Sequence, residues 1–446
     1  TLMAGLNWSF DLCTPQERTL WTRLSVFSGC LEIEDAEQVC SGGVIAREDV
    51  LNAVAGLVDK SVLIRTERQG RVRYRLLETV RQYGRRKLVA TGADQDLRRR
   101  HRDWYLRVAE TSERTWMTHE ERDWLARLQD EHPNLRAAME FSLSEPHEAR
   151  AGLVIATALA NYWHATGNLA EGHHWLTKLL EAAPEPSPIR ARALWADTRC
   201  NILLGDIPAA RRIARQCAIV ARQTHDATAL ALAIQAIGLV EFMGGDLTRA
   251  AKYLGRALTD FRALGDRYGT WYTLFLLCAT EASLGETEGA ARHGKECLDF
   301  SESEGAEWSR SQALWVVGTS HWMAGDWLAA VPHIMESLQL KQDLNDHWGT
   351  ALCIDVLAWT GAAAGQYARA ATLLGAARGL WRLTGSSPAS LRPVGPSHRH
   401  CEAETRAALG AKAFTAAFRR GARFDRRQAI AYALREKDPT PGCVIP

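Results

Sequence analysis

Residues 234–250 read IQAIGLVEFMGGDLTRA, and the way this stretch turns its corner recurs along the chain. Gly245-Asp246 has counterparts in Gly205-Asp206, Gly285-Glu286, Gly325-Asp326 and Gly365-Gln366, each forty residues from the next. Self-similarity at a fixed period of roughly 20–50 residues marks a solenoid, in which a helical pair buries its apolar face only by stacking on its neighbours. Five residues after each turn glycine stands an alanine: Ala210, Ala250, Ala290, Ala330 and Ala370. The next column, four residues on, is Ala214, Leu254, Gly294, Ile334 and Leu374, mostly apolar with gaps. Ahead of the turns run Leu194, Ile234, Leu274, Leu314 and Ile354, with Ile237, Leu277, Val317 and Leu357 three residues later. Spacings of three and four share one helix face. The small residues Gly238, Cys278, Gly318 and Ala358 suit a close helix crossing, and Gly265, Gly305 and Asn345 suit the left-handed residue that stops a helix.

This order of residues resembles the tetratricopeptide repeat. Its period is longer than the family's ~34 residues, and the surplus is expected in the second helix of each unit. A degenerate earlier unit turns at Gly167-Asn168. The resemblance implies that the first helix of each unit lines a concave face. On that basis the candidate ligand or partner groove is Trp195, Arg199, Gln235, Phe242, Tyr272, Phe275, Trp315, Trp322, Asp355 and Trp359. Large aromatic faces suit recognition of a peptide or small molecule, and equally suit the packing between long helices.

Before the repeats the pattern changes. Thr14, Pro15 and Glu17 read as N-cap, first helical residue and capping box. Short helices fit Glu34–Val39 and Arg47–Leu57, strands fit Ser61–Thr66 and Val72–Leu77 around a Gln69-Gly70 turn, and a helix fits Thr79–Val89. Three helices, a hairpin and a helix make a winged helix. The strings LNWSFDL (6–12), ERTLWTRLSVFSG (17–29), LVDKSVL (57–63) and YRLLETVRQYGRRKL (74–88) resemble the winged helix that follows the nucleotide-binding core of bacterial STAND ATPases, often LuxR-type or related transcriptional regulators. RRRHRDWYL (98–106) and WLARLQDEHPNLRAAMEFSL (124–143) are similar to the link into that family's repeats, and LLGAARGLW (373–381) and AFTAAFRRGARFDRRQAIAYAL (413–434) to the stretch that closes them.

The resemblance implies an upstream ATP- or ADP-binding domain, and no G-x-x-x-x-G-K-[ST] loop occurs in this sequence. Where related eukaryotic ATPases carry a phosphate-contacting histidine, Leu76-Leu77-Glu78 stands here, and Arg73, Arg75, Glu78 and Arg81 are the residues placed to face a nucleotide domain. The chain opens on Thr1 and ends in PTPGCVIP, read as a loop, so a fragment is expected, with any DNA-reading helix-turn-helix in a further domain.

Composition fits a globular chain, at 46% hydrophobic and 24% charged over 446 residues. Residues 1–59 hold three basic against nine acidic side chains, whereas 60–102 hold fourteen against four. That basic block invites a polyanion, or else a solvated face paired with acids elsewhere. The third helix expected in the winged domain carries Arg47, Glu48, Asp49 and Asp59, an acidic balance that would meet phosphates unfavourably. Ten cysteines are scattered without a C-x-x-C pair, which fits reduced thiols in a cytoplasmic protein. No apolar stretch reaches eighteen residues. His173-His174 lacks ligands at metal spacing, and no G-x-S-x-G or H-E-x-x-H string occurs, so neither metal nor catalytic site is expected.

The expected fold is mainly α: a winged helix over 1–92, linker helices over 93–150, a tetratricopeptide-like superhelix over 151–386, and a helical cap and tail over 387–446. The expected function is the non-catalytic sensor of a signal-transduction ATPase regulator, binding an inducer or partner protein. The alternatives are an interaction scaffold without a small ligand and a winged-helix DNA binder.

Overall fold

The structure is a computed structural model that describes residues 2–434 apart from 69, 345, 386, 389–390 and 392–393. Gln69, Asn345 and the terminal PTPGCVIP therefore lie outside the described residues. The chain divides into two compact units, Thr1–Ser112 with Ala126–Ala158, and Glu113–Leu125 with Leu159–Pro446.

The first unit runs α1 (Leu2–Asp11), α2 (Pro15–Leu24), β1 (Cys30–Leu31), α3 (Ile33–Cys40), a 3-10 turn (Arg47–Asp49), α4 (Val50–Asp59), β2 (Leu63–Arg68), β3 (Arg71–Leu76), α5 (Glu78–Ala90), α6 (Asp94–Arg114), α7 (Glu121–Ser144) and α8 (Ala149–Ala158). The capping box at Thr14 and Glu17 forms as its residues dictate, with Pro15 in the first turn. The strands make an antiparallel sheet in the order β1-β3-β2, with Leu63 opposite Leu76 and Cys30 opposite Arg75. The hairpin begins two residues later than its β-rich composition indicates. Ser61 takes a left-handed turn with φ 57° after α4, which delays the strand. Trp21, fully buried, donates from its indole to the Val80 carbonyl at 3.0 Å, and Gly84 opens the space beside it.

The basic block turns out to be extensively paired. Arg68 meets Asp130 at 2.7 Å, Arg71 meets Glu32 at 3.7 Å, and Arg85 meets Asp94 at 2.8 Å. Arg99 and Arg102 both hold Glu148, at 3.0 and 2.7 Å. Arg73 is buried, reaching Glu131 at 2.5 Å, with Glu32 and Asp130 nearby. Tyr105 donates to the other oxygen of Glu131 at 2.6 Å.

In the second unit, α9 (Ala160–Thr166) and α10 (Leu169–Ala182) form the degenerate pair, followed by α11 (Pro188–Leu204), α12 (Ile207–Thr224), α13 (Ala227–Gly244), α14 (Leu247–Leu264), α15 (Arg267–Leu284), α16 (Thr287–Ser303), α17 (Glu307–Met323), α18 (Trp327–Leu344), α19 (His347–Ala363) and α20 (Tyr367–Thr384). The helices α21 (Gly395–Leu409), α22 (Ala411–Gly421) and α23 (Arg426–Ala433) close the array. The Gly-Asp corner has a two-part cause. Gly205, Gly245, Gly285, Gly325 and Gly365 take φ between 74° and 91° and end the first helix. Asp206, Asp246 and Asp326 then cap the second helix by accepting from backbone N–H groups three residues on. In the five regular pairs both helices span 17 or 18 residues, so the long period is shared between them and the expectation of a selectively lengthened second helix is corrected.

The column alanines Ala210, Ala250, Ala290, Ala330 and Ala370 are all buried. The gaps in the neighbouring column are compensated across the helix pair. A Cβ on Gly238 would lie 2.9 Å from Leu254, and one on Gly318 would lie 2.7 Å from Ile334. Where the second helix instead carries Gly294, Cys278 fills the space. At the far end Gly375 of α20 and Gly421 of α22 cross so closely that a Cβ on either would strike the other helix's backbone. The nine described cysteines are all free, and all but Cys30 are buried. Among the described residues one helix, α13, is long and apolar enough to cross a membrane, and 67% of its apolar window is buried in the array.

Candidate ligand-binding site

The first helices of the repeats converge on one cavity of about 70 Å³. Its walls come from His164 on α9, Arg199 and Leu203 on α11, Leu239 and Phe242 on α13, Tyr272 and Phe275 on α15, Trp315 on α17, and Trp348 and Leu352 on α19. The array curves until its start meets its end, with the His164 ring 5.4 Å from Trp348. Leu391 and Val394, both buried, complete the lining from the segment before α21. The first turn of α7 belongs to the same unit. Buried Glu121 there accepts from the Ser309 backbone N–H at 3.1 Å and from its hydroxyl at 2.5 Å.

Arg199 is the one charged side chain among the cavity's described lining residues, and it is 3% exposed. It donates to Asn161 Oδ1 at 3.0 Å and to His164 Nδ1 at 3.0 Å. Its guanidinium lies over aromatic faces, with centroids at 4.8 Å for Trp195 and 4.6 Å for Tyr272. Its Nε finds no acceptor among the described residues. Burial, reinforced by the Arg199 charge, holds His164 well below the ordinary histidine range, so its ring is neutral. Because Nδ1 accepts from Arg199, the ring proton sits on Nε2, which is also without a partner among the described residues.

Of the groove candidates, Arg199, Phe242, Tyr272, Phe275 and Trp315 are brought together around this cavity. Trp195 and Gln235 stand behind it: the indole donates to Gln235 Oε1 at 2.8 Å, and Gln235 donates to Thr273 at 2.7 Å. Trp322, Asp355 and Trp359 gather elsewhere. The rings of Trp322 and Trp359 are 6.0 Å apart, and Asp355 accepts from Trp381 at 2.8 Å and pairs with His398 at 2.9 Å. Asp355 is thus committed to joining α19, α20 and α21. The sequence reading passed over His164, Leu239, Trp348, Leu352, Leu391 and Val394. A signal for Trp348 was present, since Tyr268, Trp308 and Trp348 recur at forty residues.

Among the residues placed to face a nucleotide domain, Arg73 is enclosed by its ion pairs, which corrects its placement there. Arg75 and Glu78 are exposed. Arg81 holds Glu78 at 2.8 Å, and the bonds from Arg81 and Gln82 draw the Glu78 pKa down to about 2. The outer face of α4 shows Leu51, Asn52, Ala55 and Asp59, without a basic residue. Among the described residues no group of three or more His, Cys, Asp or Glu side chains is arranged to hold a metal ion.

Comparison with known proteins bears first on the hairpin and its flanking helices. Residues 14–89 are a winged helix-turn-helix domain. The chain is 31% identical over 354 residues to the Mycobacterium tuberculosis (strain H37Rv) protein described as "Putative HTH-type transcriptional regulator Rv0890c", covering 77% of this chain and 39% of that protein. The chain thus spans well under half the length of this curated relative. A shorter match, 38% identical over 93 residues, joins 21% of this chain to 24% of an uncharacterized protein of the same strain. Among solved structures, the chain is similar to the STAND protein with a tetratricopeptide repeat sensor from Pyrococcus horikoshii, at TM-score 0.45 and 12% identity over 92% of this chain and 66% of that one. It is also similar to a Rap protein complexed with Competence and Sporulation Factor, at TM-score 0.47 and 11% identity over 74% of this chain and 99% of that one.

Proposed function

We propose that this chain is the sensing part of a transcriptional regulator of the signal-transduction ATPase kind. Its repeats take an inducer or partner on the first-helix face, and its winged helix couples occupancy to a nucleotide-binding domain outside the chain. ATP or ADP belongs to that other domain, and this part works in the cytoplasm without catalysis of its own. The observation that carries the reading is the cavity walled by successive first helices, where Arg199, Phe242, Tyr272, Phe275 and Trp315 converge. Concave, mostly apolar sites with a few convergent polar groups are where ligands bind. Coupling then requires a ligand with unequal affinity for two states. The exposed Arg75 and Glu78, beside the 45% exposed Leu77, offer a face toward the nucleotide domain. DNA is contacted through a different domain in this reading, because the outer face of α4 would set Asp59 against phosphate and Glu48 and Asp49 precede the helix.

The test is a thermal-shift screen of the 446-residue chain against small metabolites and short peptides, beside a filter-binding assay with duplex DNA. A saturable shift abolished by Trp315→Ala with Phe242→Ala supports the sensor. Tight, salt-sensitive association with duplex DNA would instead make the winged helix a DNA reader and sink the proposal.

A further inference from the structure

We infer that the repeat cavity takes an amphipathic monoanion, a carboxylate on an apolar body, with the carboxylate on Arg199. This rests on the sensor reading and names the chemistry of its ligand.

The first ground is a missing counter-ion. Buried charges are normally paired, because desolvation is not otherwise recovered. Other buried cations of this protein obey the rule: Arg73 has Glu131 at 2.5 Å, and Lys341 has Asp346 at 3.4 Å. Arg199 is as deeply buried, and the groups that accept from it, Asn161, His164 and the Tyr272 hydroxyl, are all neutral. Aromatic faces soften its isolation without neutralising it.

The second ground is the sign of the unused hydrogen-bonding groups. Four polar atoms on cavity-lining residues have no partner among the described residues: Arg199 Nε, His164 Nε2, Trp315 Nε1 and Trp348 Nε1. All four are N–H donors, His164 by virtue of the tautomer its Arg199 contact selects. Unpartnered indoles also occur away from the cavity, at Trp271 and Trp359 for example, so the guanidinium and imidazole carry the greater weight. A set of donors around one cation calls for an acceptor bearing negative charge. One cation matches one charge, which favours a carboxylate over a dianionic phosphate monoester. The remaining wall, including Leu203, Leu239, Phe242, Met243, Leu276 and Leu352, offers apolar contact. A peptide would bring backbone N–H groups into a site whose unused polar groups are themselves donors.

Decanoate, decanol and decyl phosphate are suitable probes, read against the neutral fluorophore N-phenyl-1-naphthylamine on the whole chain. Decanoate is expected to displace the fluorophore with one-to-one stoichiometry, and decanol and decyl phosphate to do so more weakly. Arg199→Met is expected to keep fluorophore binding, to show an unfolding midpoint no lower than the parent, and to lose decanoate affinity by roughly 10- to 100-fold, the scale of one charge-assisted hydrogen-bond set. Fluorophore binding without decanoate displacement, or displacement that survives Arg199→Met, overturns the carboxylate and leaves the sensor reading standing. Preferential displacement by decyl phosphate also overturns it. If nothing enters the cavity, both readings fall.

Discussion

Two guanidiniums of this molecule are equally buried and differently surrounded. Arg73 in the winged-helix unit lies on the central strand β3 and is surrounded by acid: Glu131 at 2.5 Å, Glu32 at 3.4 Å and Asp130 at 3.6 Å. Arg199 in the repeats is buried to the same degree, with both at 3% exposure, yet has only neutral and aromatic neighbours. The same functional group therefore has two uses. One ties a strand to α7 and is satisfied without any ligand. The other lines an apolar cavity with part of its hydrogen-bonding capacity unused. Burial of an arginine does not distinguish these uses, whereas the charge around it does.

The contrast breaks most visibly at the paired site. Arg73→Met removes one partner and leaves Glu131 buried against Tyr105 and Asn134, so a loss of roughly 3–5 kcal/mol is expected on denaturant unfolding. Arg199→Met should lose nothing of this kind, since it strands no carboxylate. Equal losses from the two substitutions would mean that Arg199 is structural as well. Lys341→Met sharpens the comparison within the repeats. Lys341 is fully buried, donates to Ser311 at 2.7 Å and lies 3.4 Å from Asp346. Asp346 would keep the Gly349 N–H and Gln312, so a loss of about 3 kcal/mol or somewhat less is expected. If this variant is as stable as the parent, location in the repeats rather than pairing explains the tolerance expected at Arg199.

How far these sites could be read from sequence follows from how local their causes are. The corners were legible because Gly245 and Asp246 each act within one turn of chain, the first by its positive φ and the second by a cap three residues on. The box at Thr14 and Glu17 was legible for the same reason. A second set of caps, Asp226, Asp266 and Asp346, starts the first helices and passed unnoticed, because an alanine, Ala306, interrupts the series. The burial of Arg73 could not be read, since Glu131 is 58 residues away. Phe242 and Trp315 fell to the column argument, whereas His164 sits in the degenerate pair and Val394 in the segment before α21. Asp355 shared a column with groove residues and was claimed instead by α20 and α21. Position in a repeat specifies which way a side chain points, and the irregular ends decide what it meets.

The smallest effect concerns a buried pair whose charge can be switched. Burial works against a charged His398, but its hydrogen bond to Asp355 at 2.9 Å and the charge of that carboxylate outweigh burial and raise its pKa. Glu402 pulls in the same direction and Arg399 opposes. The sign is therefore fixed: the unfolded imidazole releases its proton at lower pH than the folded one, so the pair's stabilisation is fully present below about pH 6.5 and fades as pH rises through the folded value. His101 and His164, both depressed by burial, act in the opposite sense on the whole protein, so the raw pH profile mixes the two. The difference between the parent and His398→Asn cancels them. That difference is expected to be of order 1 kcal/mol at about pH 6 and to shrink toward about pH 9, on the scale of one partly buried charge-assisted hydrogen bond. A difference that stays constant across this range would mean that Asp355 does not raise the His398 pKa, and one that grows with pH would mean that the folded imidazole stays neutral.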